Sequence, residues 1–363
     1  MGGQERRDLL YEGLINYATV YDAKDPTAAV AYADANIDKY APVPWCGFVD
    51  WNDIMFRKGS HQNYEISASG GSDKIKYYSS LGLMQQDGIT VASGLKRMTG
   101  RLNIEYKANK KVTLGAKVLF SALNQKSNGE GTSYTTPLYA TRVKVTPSDF
   151  PYYEDGSYVT SDDPAINGRD VFPGNGGRNP KPSLDLNYQK EKVTRAFNTI
   201  YGSYDILKDL QFKSTLSYDY TVVKGDKWKD PDSYDGRKDN GGKESRYKEL
   251  WKLVWKNHLT YEKTFARHHD IDALAGYEID SKARDYVKAH TKNFANPDKD
   301  AISNGSVLDE IDGYKMETRL VSYIFRLNYS YRHKYYLGGS YRLDGSSKLD
   351  PDHRWGNFWS VSG

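Results

Sequence analysis

One cysteine, Cys46, stands among 363 residues. An intramolecular disulfide, a CxxC redox pair and a cysteine-built metal site are therefore all excluded. No stretch approaches the ~18 consecutive apolar residues of a spanning helix, and the mean hydropathy is only −0.76. Charge of one sign is scarce too: 51 Lys and Arg face 47 Asp and Glu, with no basic stripe of the kind nucleic acid demands. The opening MGGQERRDLL is charged but has no apolar core, so no secretory leader is read there. That leaves a cytoplasmic protein or a piece of a longer one. Aromatics are abundant at 13%, with 31 Tyr and 7 Trp, which argues against disorder.

Periodicity then divides the chain. From Arg6 to about Tyr40, Leu9, Leu10, Gly13, Leu14 and Tyr17 recur at helical spacing and Pro26–Ala35 is rich in alanine, so this stretch reads as helical. Pro42 and Pro44 end it, and WCGFVDWND reads as a compact turn. After His61 the period is two. Leu102, Ile104 and Tyr106 alternate with Arg101, Asn103 and Glu105; Leu216, Tyr218 and Tyr220 with Thr215, Ser217 and Asp219; Phe325, Leu327 and Tyr329 with Arg326, Asn328 and Ser330. About eleven such runs follow one another, each near the ~9–11 residues that cross a bilayer at a tilt.

The connections alternate as strictly as the side chains. Short links at Gly70–Asp73, Ala108–Lys111, Leu207–Asp209, Ala266–His269 and Arg332–Lys334 are interleaved with longer ones at Gln85–Leu95, Asn124–Glu191, Lys224–Tyr247, Lys288–Lys315 and Asp344–Arg354. In an antiparallel meander this gathers all short turns at one rim and all long loops at the other, the asymmetry of outer-membrane barrels. Tyr106, Tyr218, Tyr220, Tyr261, Tyr329 and Tyr331 are expected at strand ends, as an aromatic girdle. The predicted fold class is all-β, an antiparallel up-and-down meander with a short helical segment at its N-terminus. About eleven strands would leave two open edges in hydrocarbon, which does not occur, so the meander is expected to be part of a large barrel of about 22 strands. Residues 1–60 are expected to be an external loop segment with a helical stretch, and 61–363 a partial barrel with its long loop at 124–191.

Two blocks carry a family resemblance. HQNYEISASGGSDKIKYYSSLGLMQQDGI (His61–Ile89) with LKRMTGRLNIEYKANKKVTLG (Leu95–Gly115), and YYLGGSYRLDGSSKLDPDHRWGNFWSVSG (Tyr335–Gly363), resemble the first half of the barrel of SusC/RagA-type TonB-linked outer-membrane transporters. The resemblance gives Gly70, Gly71, Asp344, Gly345, Ser346, Ser347, Trp355 and Gly356 structural roles in the family motifs. It implies a fragment lacking signal peptide, TonB box and plug domain. It also implies residence in the cell outer membrane, against lipid, and active uptake of an oligosaccharide or peptide ligand. The TonB–ExbB–ExbD system would power it through the missing N-terminal part, and a SusD-like surface lipoprotein would act as lid. No cofactor, metal or nucleic acid is implied. The alternatives are a secreted soluble all-β glycan-binding module and a passive porin.

Catalytic chemistry is not announced. There is no HExxH, GxSxG or His-plus-carboxylate ligand spacing, and the Asp230, Asp232, Asp235, Gly236 cluster fails as a calcium loop because Gly241 stands where the bidentate Glu is required. GNGGRNP (Gly174–Pro180) reads as a loop, not as GxGxxG. Ligand contacts are expected instead from aromatics of the longer loops, Tyr134, Tyr139, Tyr152, Tyr153, Tyr158, Phe172, Trp228 and Tyr234, whose faces stack on sugar rings. The competing expectation is that these rings pack the Asn124–Glu191 loop against itself or against a lid.

Overall fold

A computed structural model describes residues 2–128, 136, 139–160, 162–165 and 168–363. Among these residues eleven strands follow one another in a single antiparallel sheet whose order is the chain order, β1 to β11. They are β1 (Ser60–Gly71), β2 (Ile75–Asp87), β3 (Gly94–Lys107), β4 (Val112–Ser127), β5 (Tyr188–Leu207), β6 (Leu210–Lys229), β7 (Gly242–Phe265), β8 (His269–Phe294), β9 (Gly305–Tyr331), β10 (Tyr335–Ser346) and β11 (Trp355–Ser362). This is the up-and-down meander that the period-two runs predict.

Register lines up the apolar residues across the whole sheet. Ile75 pairs with Tyr106, Tyr106 with Leu114, Phe212 with Leu259, Tyr277 with Tyr323 and Tyr341 with Trp359. Among the described residues no second sheet covers that face: Ile66, Leu81, Ile200, Phe325 and Val361 are all exposed. Within a single layer the apolar stripe has no protein to meet, the arrangement a lipid-facing wall requires and a soluble sandwich forbids.

Several strands are longer than expected. The segments Lys224–Tyr247 and Lys288–Lys315, read as loops, are half or more ladder, because β6 runs to Lys229, β7 starts at Gly242, β8 reaches Phe294 and β9 starts at Gly305. Above a bilayer both faces meet water, so the apolar alternation stops while backbone pairing continues. Tyr218 and Tyr220 therefore sit mid-strand, whereas Tyr106, Tyr261, Tyr329 and Tyr331 lie near the short turns. Two belts result. From Leu210, paired with Tyr261, ten residues along β6 to Tyr220 cover about 33 Å, or about 25 Å along the membrane normal at a ~40° tilt, the height of an outer-membrane apolar band.

The helical stretch is split. Helix α1 (Gly3–Val20) and helix α2 (Pro26–Tyr40) are separated because Asp25 caps α2, its carboxylate accepting from Thr27 and Ala28 backbone N–H at 2.9 and 3.0 Å, with Pro26 at the first helical position. The predicted turn at WCGFVDWND ends in a third helix, α3 (Trp51–Met55), capped by Asp50. Trp51 and Met55 are buried with Phe150, Val159, Val171, Phe172 and Leu184 of the β4–β5 connection. The N-terminal segment and the longest loop thus share one small core, joined by the β2–β3 loop through Val91 N–H to Met55 O at 3.0 Å. Among the described residues no helix is long and apolar enough to cross a membrane.

Candidate functional site

The face opposite the apolar stripe is laced with polar contacts. Arg195 donates to Asp219 at 2.9 and 2.6 Å, Lys252 meets Asp280 at 2.7 Å, Lys256 meets Glu278 at 3.3 Å and Arg326 meets Asp272 at 3.0 Å. Exposed pairs of this kind add little stability each, ~0–1 kcal/mol. Their consequence is a wettable surface with both signs of charge, suited to lining an aqueous path.

The motif residues sit in close backbone and side-chain contacts. Gly70 pairs with Tyr77, and a Cβ at Gly70 would lie 2.8 Å from the Tyr77 hydroxyl. Gly345 pairs with Trp355, whose ring lies 2.8 Å from where a Cβ would be. An aromatic ring on one strand thus covers the bare backbone of a glycine on the next. Gly71 sits tight against the Ile75 carbonyl at the turn, and Gly356 faces Phe358. Asp344 accepts from Arg342 Nε at 2.7 Å, and Ser347 Oγ accepts the Arg319 backbone N–H at 2.8 Å while its own N–H donates to Arg319 O. Ser346 N–H donates to Arg354 O at 2.9 Å. The DGSS block therefore ties three strands together.

The loop aromatics separate into distinct environments. Tyr134 lies outside the described residues. Tyr139 is half-buried with Lys144 Nζ 5.6 Å from its ring centre. Tyr152 and Tyr158 stand with ring centres 5.1 Å apart and both donate to Asp185 Oδ2, at 3.1 and 3.0 Å. Burial, then Asp185, pushes the Tyr152 and Tyr158 hydroxyls above the usual phenol range. Tyr153 packs edge-on against Phe150 at 6.0 Å, and Phe172 is 2% exposed in the small core, edge-on to Trp51. Trp228 is 3% exposed, edge-to-face with Phe294 at 4.8 Å, so its ring is already occupied. Tyr234 carries the Arg178 guanidinium 4.5 Å above its ring. Packing of the loops against themselves thus accounts for most of these rings. Asp230 spends its carboxylate on Asp232 N–H and Trp228 Nε1, and Asp300 accepts from Tyr188. Among the described residues no three His, Cys, Asp or Glu are grouped to hold a metal.

What the sequence reading missed is a cleft of about 500 Å³ beside the small core. The Pro42–Trp45 segment forms one side, Phe150, Tyr153, Val159, Val171 and Phe172 the apolar wall. Trp45 donates from Nε1 to the Tyr152 carbonyl at 3.0 Å yet is 53% exposed. Asp149 and Arg169 form a buried ion pair at 3.0 Å along the wall, and Thr146 adds its N–H and hydroxyl to the same carboxylate. The only sequence signal was the aromatic density of DFPYY (Asp149–Tyr153); nothing local announces its meeting with Trp45 about a hundred residues away.

No family model matches the chain. Among curated proteins it is similar to the TonB-dependent receptor P3 of Formosa agariphila, 26% identical over 320 residues, covering 85% of this chain and 30% of that protein. It is likewise similar to the TonB-dependent receptor SusC of Bacteroides thetaiotaomicron, 26% identical over 335 residues, covering 86% of this chain and 32% of SusC. The chain thus spans about a third of the length of these relatives. Among solved structures, the RagAB peptide importer in its open-open state aligns over 99% of this chain and 38% of its own with a TM-score of 0.72 at 22% identity. That likeness establishes the fold.

Proposed function

We propose that this chain, similar to TonB-dependent receptors and to SusC, is wall and loop of an outer-membrane importer that moves oligosaccharides or peptides into the periplasm. The observation that carries this reading is the single sheet whose apolar face nothing covers among the described residues and whose opposite face is ionic. Its relatives are receptors and transporters, not enzymes. Among the described residues β1 pairs only with β2, and β11 only with β10, so in hydrocarbon further strands must complete the wall. A plug and TonB contact elsewhere in the protein would couple transport to the proton gradient. A SusD-like lipoprotein would close over the longer loops.

Fractionation and uptake test this together. The protein is expected in the detergent-extracted outer membrane, and uptake of labelled peptide or oligosaccharide is expected to stop when TonB is deleted. Uptake that persists without TonB would favour the passive porin. Recovery in the soluble fraction would end the membrane reading altogether.

A further inference from the structure

We infer that the cleft between Trp45 and the Asp149–Phe172 loop binds a positively charged peptide segment of the imported cargo, with an apolar body against the wall and a cationic head at the mouth. This assignment rests on the import reading and adds a substrate class to it. The volume, about 500 Å³, falls within the range of small-ligand sites. Its wall is aromatic and aliphatic, and Trp45 keeps half of its surface in solvent while its Nε1 is anchored, so a ring face is held in place at the mouth.

The second observation is Ser148. It lines the cleft and is 2% exposed, yet its Oγ has no hydrogen-bond partner. A buried hydroxyl ordinarily finds one, and a peptide carbonyl or amide entering the cleft supplies it. A sugar hydroxyl would serve that atom equally, so charge decides between them. Asp149 is neutralised by Arg169, with Arg6 behind it. Three further acids on the lining, Glu154, Asp155 and Asp170, are exposed. Glu154 and Asp170 have no ion-pair partner among the described residues. Asp155 accepts from Ser157 N–H and Oγ–H at 2.9 and 2.6 Å, which favours its ionised form. The mouth is therefore negative over an apolar interior. It attracts Lys, Arg or an N-terminal amine, adds a cation–π contact at Trp45, and gives a neutral oligosaccharide nothing to match its charge.

Calorimetry on the complete protein in detergent, at low and at physiological salt, tests this with defined probes. These are the peptides Leu-Lys-Phe-Lys-Leu, Leu-Gln-Phe-Gln-Leu and Leu-Glu-Phe-Glu-Leu, and maltoheptaose. The Lys peptide is expected to bind about tenfold more tightly than the Glu peptide, the gap narrowing with salt. The double variant E154Q/D170N is expected to remove most of that gap while leaving the Gln peptide unchanged. W45A is expected to weaken all three peptides, and because Trp45 is exposed at the surface it leaves the fold intact. Equal or tighter binding of the Glu peptide, or peptide binding indifferent to W45A and to E154Q/D170N, overturns the cleft assignment while TonB-dependent uptake leaves the import reading standing. Absence of TonB-dependent uptake of any probe by cells defeats the import reading itself.

Discussion

Arg169 and Asp149 show how much a single loop contact carries. Their side chains are 10% and 1% exposed, so R169M leaves a buried carboxylate that has lost its direct ion-pair partner and keeps only the Thr146 hydrogen bonds and the Arg6 charge behind it. Breaking a buried pair from one side costs ~3–5 kcal/mol. Amide exchange over residues 145–186 is expected to accelerate in R169M while exchange in the strands stays slow. Tyr152 and Tyr158 make a complementary prediction. Burial and the shared Asp185 keep both phenols protonated above the usual ~10. Between the unfolded and folded pKa the folded loop holds protons that the unfolded chain has released, so stability is fully present below pH ~10 and declines as pH rises beyond it. Protease resistance of the loop is expected to hold up to about pH 10 and to fall as pH rises above it, and D185N is expected to flatten that dependence. No residue-level signal in the sequence distinguished these tyrosines from ligand platforms. Whether a ring face is free depends on partners such as Asp185 or Phe294, which lie far along the chain.

At the scale of strands and hairpins, glycine–aromatic pairs set the register. G345V would drive a side chain into the Trp355 ring, and overpacking of this kind costs ~1–3 kcal/mol. The Gly345–Trp355 end of the β10–β11 hairpin is expected to fray, seen as faster exchange across Leu343–Gly356. The two faces make a sharper test. Leu216 lies between the two aromatic belts on the apolar face, and its neighbour Thr215 on the ionic one. L216R is expected to destabilise the folded barrel in bilayers by ~2–4 kcal/mol, T215R far less, read from the urea midpoint of the heat-modifiable gel band. A reversed order would place lipid on the wrong face. All eleven strands were legible before the structure, because a surface wet on one side and greasy on the other writes a period of two. Their upper ends were not. Beyond the membrane KGDKWK (Lys224–Lys229) and GKESRYKEL (Gly242–Leu250) lose that period, yet each still has a neighbouring backbone to pair with.

For the molecule as a whole, the two unpaired sheet edges dominate. Residues 1–363 alone, refolded into lipid vesicles, are expected to give no compact heat-modifiable species, since β1 and β11 each leave a row of backbone groups unsatisfied. The complete protein is expected to give one. A compact inserted species from the 363 residues would mean that these edges find each other.

Strand number, face polarity and the sorting of short turns from long loops came from the residues themselves, because each reflects the solvent that a strand meets on either side. The motif blocks added the family resemblance. Only the folded chain decided that Trp45, Asp149 and Phe172 border one cleft, that Trp228 is spent on Phe294, and that helix α3 shares a core with the longest loop. Those outcomes depend on contacts between distant segments, and side-chain packing of that kind leaves no periodic trace along a single strand.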